Sequence, residues 1–173
     1  MTHIMDETLF VVDENDNAIG KAPYSEVRKK SLITRASNIF ILNSAGEIFV
    51  HKRNRNLNLY GGFWDVKVGG SVSYPESYEE AAVRELREET GIKISEDKLE
   101  YLFSAKYRSD VHNTNRRVYR IIYDGKITLQ KEEIEEGKFV PISEIEEMIK
   151  ANLVSPSAKQ VFERYVGYVG KSL

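Results

Sequence analysis

Apolar residues fall into short β-type runs in the first half of the chain, one helical run near its centre, and helical runs at its end. Thr8-Leu-Phe-Val-Val-Asp13 is rich in β-formers and is followed by the turn signal Glu14-Asn-Asp-Asn17, so the pattern predicts an N-terminal hairpin. Tyr24 to Lys30, with Pro23 just before it, reads as a short helix. Ala36 to Leu42 ends in four consecutive apolar residues, as a strand covered on both faces would. Asn43-Ser-Ala-Gly46 turns the chain, and Glu47 to Arg53 returns as the antiparallel partner. A polar loop runs to Gly62, and Phe63 to Val68 reads as another strand, stopped by Gly69-Gly70. Downstream, Leu99 to Arg108 and Arg117 to Tyr123 read as a strand pair, and Lys138 to Val140 as a short strand. Ser143 to Lys150 and Ser157 to Tyr168 read as helices, the first with Ser143 and Glu146 at capping-box spacing. No repeat or Pro/Gly/Ser-rich linker interrupts this order. The expectation is one α/β (α+β) domain: a hairpin extension over 1–33, a core over 34–150 and a C-terminal helix over 151–173.

The central helical run carries the chemistry. Ser77 followed at the third position by Glu80 is a capping box, and Gly91 stands where a helix stops in the left-handed conformation, so the spacing predicts a helix between them. At roughly 100° per residue, Ala82, Val83 and Leu86 form an apolar strip. Glu85, Glu88 and Glu89, at i, i+3 and i+4, form a carboxylate strip beside it, with Ala81 inside that strip leaving room around the oxygens. Like charges bordering a face that must pack repel one another and are costly to desolvate. A divalent cation removes that penalty, and clustered hard oxygen donors suit Mg²⁺ or Mn²⁺.

Composition sharpens this picture. The 173 residues carry 25 Lys+Arg against 27 Asp+Glu, a net charge of -2, which excludes the broad basic field of a general nucleic-acid binder. Between Glu76 and Glu89, however, six Glu stand against two Arg, a local balance of -4 in an otherwise mildly basic chain. The absence of cysteine excludes disulfides, thiolate metal sites and a thiol nucleophile. No apolar run approaches the roughly 20 residues of a membrane helix, and the first seven residues lack the features of a secretory signal, so a cytoplasmic protein without a membrane partner is expected.

Gly70, five residues, Glu76, seven residues, and then Arg84-Glu85-Leu86-Arg87-Glu88-Glu89-Thr90-Gly91-Ile92 resemble the Nudix box at every specified position. The resemblance implies a mixed sheet sandwiched between helices, a loop–helix–loop holding Mg²⁺ or Mn²⁺, and hydrolysis of a nucleoside diphosphate linked to another group. It further implies Glu88 and Glu89 as main metal ligands, and Glu85 as a third ligand or the group orienting the attacking water. Arg84 is implied as the residue holding these carboxylates by ion pairing, Gly69 as a backbone-carbonyl ligand, and Glu76 as a supporting acid.

Thr8 to Gly20, the basic stretch to Arg35, Phe63-Trp64-Asp65 and the Gly69-Gly70 turn are similar to isopentenyl-diphosphate isomerase and its hydrolase-like relatives. That isomerase uses a cysteine near this turn together with histidines that bind metal. Here Gly69 stands at the cysteine-like position, Ser71 where a histidine follows, and Thr34-Arg35 near another, which disfavours the isomerase. The expected partner is a small nucleotide-type diphosphate, with no stable nucleic-acid partner, and both a monomer and a homodimer are compatible with the chain. A nucleotide-sensing module without catalysis is the other alternative, and the intact carboxylate set weighs against it. RNA decapping would need a longer basic surface.

Weaker candidates are Glu133 and Glu135, as a downstream metal ligand or base, and Lys52, Arg53 and Arg55, as contacts to phosphate. Phe63 and Trp64 read as core rather than base-stacking residues, His51 as a half-exposed strand residue, and Tyr101, Phe103 and Tyr107 as packing.

Overall fold

The computed structural model describes residues 7–110 and 112–170. Eight strands and four α-helices follow the order β1 (Thr8–Val12), β2 (Ala18–Pro23), α1 (Tyr24–Lys30), β3 (Ile33–Leu42), β4 (Ile48–Arg53), β5 (Trp64–Asp65), α2 (Tyr78–Thr90), β6 (Glu100–Tyr107), β7 (Asn113–Ile122), β8 (Ile134–Val140), α3 (Ile142–Lys150) and α4 (Pro156–Gly170). β1 and β2 form an antiparallel hairpin. The remaining strands form a mixed sheet in the order β5-β4-β3-β7-β6, with β3 parallel to β7 and β8 paired to β4.

The sheet has two covered faces, and β3 shows why. Ile39 and Ile41 pack with Ala81, Ala82 and Leu86 of α2, whereas Phe40 packs on the other side with Ile145, Val161 and Phe162 of α3 and α4. All of these are buried. The consecutive apolar run of β3 is therefore a strand between two helical layers, and the architecture is an α/β/α sandwich.

The feature that makes a site is a split in the sheet. β3 and β4 pair only at Leu42 and Ile48, next to their turn, and then diverge. The segment after β4 bridges the opening. Trp64 and Asp65 pair with β4 at Lys52 and His51, then Val68 and Ser71 pair with β3 at Ile39 and Ala36. Pairing shifts from one strand to the other, so the predicted strand Phe63 to Val68 is reduced to a two-residue β5 followed by isolated bridges. The N-terminal hairpin docks on the same segment and on β3: Leu9 pairs with Ser73, Tyr74 N–H donates to the Thr8 carbonyl at 2.8 Å, and Arg35 of β3 binds the Asp16 carboxylate at 3.0 Å.

Several local expectations are corrected. His51 is buried, because β4 lies between β5 and β8 with both faces covered. Phe63 is 37% exposed, since it precedes the strand and ends a surface loop. Tyr101 is half exposed, beside a register shift that turns β6. α3 begins at Ile142 behind Pro141, and Ser143 makes no cap. The proline supplies the preset φ that opens the helix one turn position earlier. Ala81 is fully buried in the core against β3 rather than standing among the carboxylates.

Candidate active site

A cleft of about 790 Å³ opens at the split between β3 and β4, within the size range of small-molecule sites. α2 forms one wall. Its start is fixed by the capping box, with Ser77 Oγ accepting Glu80 N–H at 3.0 Å and Glu80 accepting Ser77 N–H at 2.7 Å. Its end is fixed by Gly91 in the left-handed conformation at φ 71°. Leu86 anchors the helix in the core, which leaves Glu85, Glu88 and Glu89 along the cleft.

Arg84 organises this wall. Its guanidinium grips Glu76 with two hydrogen bonds, Nε to Oε1 at 2.7 Å and Nη2 to Oε2 at 3.0 Å, and Nη2 also donates to the Ser71 carbonyl at 3.0 Å. Nη1 reaches Glu85 at 2.7 Å and Glu88 at 3.3 Å. One planar fork thus ties the bridging segment, the start of the helix and its carboxylates into a single unit, a task that suits arginine and not lysine. The Arg84 charge is held on by Glu76 and Glu85 against the opposing effect of burial.

The two glycines before the helix are required by space. A Cβ on Gly69, at φ +137°, would stand 2.0 Å from the Ser37 carbonyl oxygen. A Cβ on Gly70 would stand 2.6 Å from Glu85 Oε1, so the carboxylate lies directly on the Gly70 backbone. No side chain, a cysteine included, fits at Gly69 without moving β3.

Glu89 is buried and forms no ion pair among the described residues; its Oε1 accepts Gly69 N–H at 3.3 Å. Burial raises its pKa well above the usual carboxylate range, and the charges of Glu85 and Glu133 raise it further. Burial likewise pushes Glu85 up to about 7, against the pull of Arg84 and with the help of Glu88 and Glu133. Among the described residues no group of three or more His, Asp or Glu converges closely enough to hold a metal ion as the side chains stand, and Arg84 occupies Glu85 and Glu88. In chemistry the donor set nevertheless fits a hard cation. It offers only oxygen, and burial together with the mutual repulsion of Glu85, Glu89 and Glu133 raises the pKa values of its buried members, a penalty that a cation would relieve.

Glu133 reaches the cleft because the loop before β8 is pinned on both sides. Gln130 N–H donates to the Glu89 carbonyl at 3.0 Å, and Asn54 N–H donates to the Glu133 carbonyl at 2.7 Å. Glu135 goes elsewhere. The β4–β8 register shifts between Lys52 and Arg53, which leaves Glu135 as an extra residue opposite that step. It turns outward to pair with Arg55 at 2.8 Å and Lys52 at 3.9 Å, and these contacts hold it down to about 2. Of the residues singled out from the sequence, Gly69, Gly70, Glu76, Arg84, Glu85, Glu88, Glu89, Arg53 and Glu133 line the cleft. Lys52 and Glu135 do not.

Opposite the carboxylates lies a cationic floor that motif reading missed. Lys67, on the bridging segment, and Arg116, on β7, are both buried and line the cleft with Asn38 and His112. Lys67 pairs with Asp65 at 3.2 Å. The signal present in the sequence was a charged residue within an otherwise β-type run, Lys67 between Val66 and Val68 and Arg116 before Val118. The hairpin region adds Glu7 and Tyr24 to the rim.

Comparison with known proteins accounts for this geometry. The NUDIX domain matches residues 32–165, and the chain belongs to the Nudix family. It is 35% identical over 139 residues to an uncharacterized Nudix hydrolase of Pseudomonas aeruginosa, covering 78% of each chain. It is 29% identical to an isopentenyl-diphosphate Delta-isomerase of Serratia proteamaculans, over 82% of this chain and 80% of that one. A crystal structure of a Deinococcus radiodurans protein superposes with a TM-score of 0.76 at 26% identity, covering 91% of this chain and 98% of that one. By class the chain is a Nudix pyrophosphohydrolase, in the part of the family whose relatives include proteins named as isopentenyl-diphosphate isomerases. Among the described residues no helix is long and apolar enough to cross a membrane.

Proposed function

We propose that the protein hydrolyses the phosphoanhydride bond of a small nucleotide-type diphosphate with Mg²⁺ or Mn²⁺ bound at the α2 wall. The observation that carries this reading is the buried, unpaired Glu89 beside Glu85 and Glu133, facing buried cations across one cleft. Glu88 and Glu89 are the main ligands, and Glu85 completes the set or orients the attacking water. When bound, the cation neutralises the diphosphate and lowers the pKa of water. Arg84 sets the reach of Glu85 and Glu88 through its hydrogen bonds, and Glu76 and Ser71 in turn fix Arg84. Arg53, whose Nε donates to the Leu59 carbonyl at 3.2 Å, lines the cleft where substrate oxygens would approach. Phosphoryl transfer of this kind depends on positioning and charge, and the cleft supplies both signs of charge.

The isomerase reading is disfavoured by the site itself. Its thiol would replace Gly69, where a Cβ meets the β3 backbone, and the chain has no cysteine. The test is a screen of nucleoside diphosphates, nucleoside diphosphate sugars, NADH, ADP-ribose, dinucleoside polyphosphates and isopentenyl diphosphate, with and without Mg²⁺ or Mn²⁺. Release of phosphate or nucleotide that stops with EDTA is expected. Isomerisation of isopentenyl diphosphate, or no metal-dependent hydrolysis of any member, would overturn the reading.

A further inference from the structure

The floor of the cleft holds two buried cations, Lys67 and Arg116, that share a single nearby acid, Asp65. Arg116 is 2% exposed and forms no ion pair with a carboxylate among the described residues. It is fixed in place instead: Nε donates to Thr114 Oγ1 at 2.8 Å, Nη1 reaches the Ser157 carbonyl at 3.5 Å, and the guanidinium lies 4.5 Å from the Tyr107 ring centroid. Lys67, also buried, has Asp65 as its partner, and Asp65 is the one acid this floor contributes to the cleft lining. Two further polar atoms beside them, Asn38 Oδ1 and His112 Nδ1, are buried with no hydrogen-bond partner. A buried charge and orphaned polar atoms are each unfavourable without a partner, and all four residues line the cleft.

We infer that Lys67 and Arg116 form a subsite for a free terminal phosphate of the substrate, with Asn38 and His112 completing its hydrogen bonds. This deepens the hydrolase reading by naming the substrate class: an organic diphosphate ending in an uncapped phosphate, in preference to one capped by a neutral sugar. A terminal phosphate brings negative charge to Lys67 and Arg116, which Asp65 alone balances in part. In the reaction, water oxygen bonds to one phosphorus, the bridging P–O bond breaks, and its electron pair goes to the departing phosphate oxygen. The water protons are shared between the products and solvent, so that a nucleoside diphosphate gives the monophosphate and inorganic phosphate. Lys67 and Arg116 bind and orient the terminal group throughout.

The test separates this subsite from the hydrolase reading by measuring binding without metal. Inorganic phosphate is titrated into the EDTA-treated protein by calorimetry at constant ionic strength, with the unfolding midpoint as a second readout, for wild type, Lys67→Met and Arg116→Gln. Saturable phosphate binding in wild type, weakened at least about tenfold in either variant, is expected; wild type that does not bind phosphate overturns the subsite. If a variant does not fold, the wild-type titration and the other variant still decide. In a second arm, kcat/KM is compared for UDP, UDP-glucuronate and UDP-glucose with Mg²⁺. Preference for UDP supports a terminal phosphate; preference for UDP-glucuronate assigns the subsite to a carboxylate and overturns the phosphate assignment; preference for UDP-glucose overturns the subsite and leaves the hydrolase reading intact. Phosphate binding without metal-dependent hydrolysis of any of the three would support the subsite and count against the hydrolase reading.

Discussion

The two sides of the cleft carry opposite charge and were built by different means. The acidic wall is local: Glu88 and Glu89 lie about one turn of α2 after Glu85, and Arg84 reaches Glu85 and Glu88 on the same helix and Glu76 just before it. The basic floor is assembled from distant chain: Lys67 from the bridging segment and Arg116 from β7, brought together only because β3 and β4 diverge. A local constellation leaves a periodic trace in sequence, whereas an assembled one leaves single charged residues whose environment depends on topology. The same contrast separates Glu133 from Glu135. The two acids lie on either side of a strand boundary: Glu133 sits in the pinned loop before β8 and reaches the cleft, and the shift in the β4–β8 register turns Glu135 outward to Arg55.

The largest expected effect comes from neutralising the wall at its buried end. On the proposed mechanism, Glu89→Gln lowers kcat by at least about 10²-fold, in the range of lost acid/base or ligand function. Its unfolding midpoint in EDTA is unchanged or higher, because the substitution removes a buried, mutually repelling carboxyl. Thermal unfolding and steady-state rates measured together check both halves. A parallel loss of folding would mean that Glu89 serves the core and not the site.

Next is the residue that ties the wall together. Arg84→Lys keeps the charge but cannot hold Glu76, Ser71, Glu85 and Glu88 at once, so activity falls roughly 10–100-fold, as for other groups that orient ligands. The loss appears in metal affinity as well as rate, and metal titration of the variant measures it.

The third effect is a pH slope. Glu85 in the metal-free protein titrates at about 7, above its ordinary value, and must lose its proton to take a cation. Apparent Mg²⁺ or Mn²⁺ affinity therefore falls as pH drops below about 7, by up to about tenfold per unit from this group. The sign for stability is the reverse. A raised carboxylate pKa stabilises the metal-free fold at low pH, and this contribution is lost as pH rises through 7. Glu85→Gln removes this group's share of both dependences and leaves that of Glu89, and metal titrations at pH 6, 7 and 8 of wild type and variant test the first.

The smallest effect belongs to the pair that the bulge turns away. Glu135→Gln leaves rate and unfolding midpoint at wild-type values, since its partners Arg55 and Lys52 lie outside the cleft and exposed pairs contribute little. A rate loss comparable to that of a Glu133→Gln variant would place Glu135 in the site and remove the distinction drawn above.

Much of the fold was legible because its signals are local. Ser77 with Glu80, and Gly91 after Thr90, set the limits of α2, and the apolar run Ile39 to Leu42 announced a strand between two layers. What stayed hidden depended on pairing. β5 shortened because its chain changes partners, His51 was buried because β4 gained two neighbours, and the Ser143 cap was overridden by Pro141. The glycines were legible as a turn, but that Gly70 makes room for the Glu85 carboxylate is visible only in three dimensions.

The central claim, that the α2 wall holds a divalent cation, is tested most directly by Mn²⁺ titration followed by electron paramagnetic resonance at pH 8, for wild type and Glu85→Gln/Glu89→Gln. The account predicts saturable Mn²⁺ binding in wild type and its loss in the double variant, with both proteins folded. Equal binding by the two proteins, or no binding by wild type with substrate present, would contradict it.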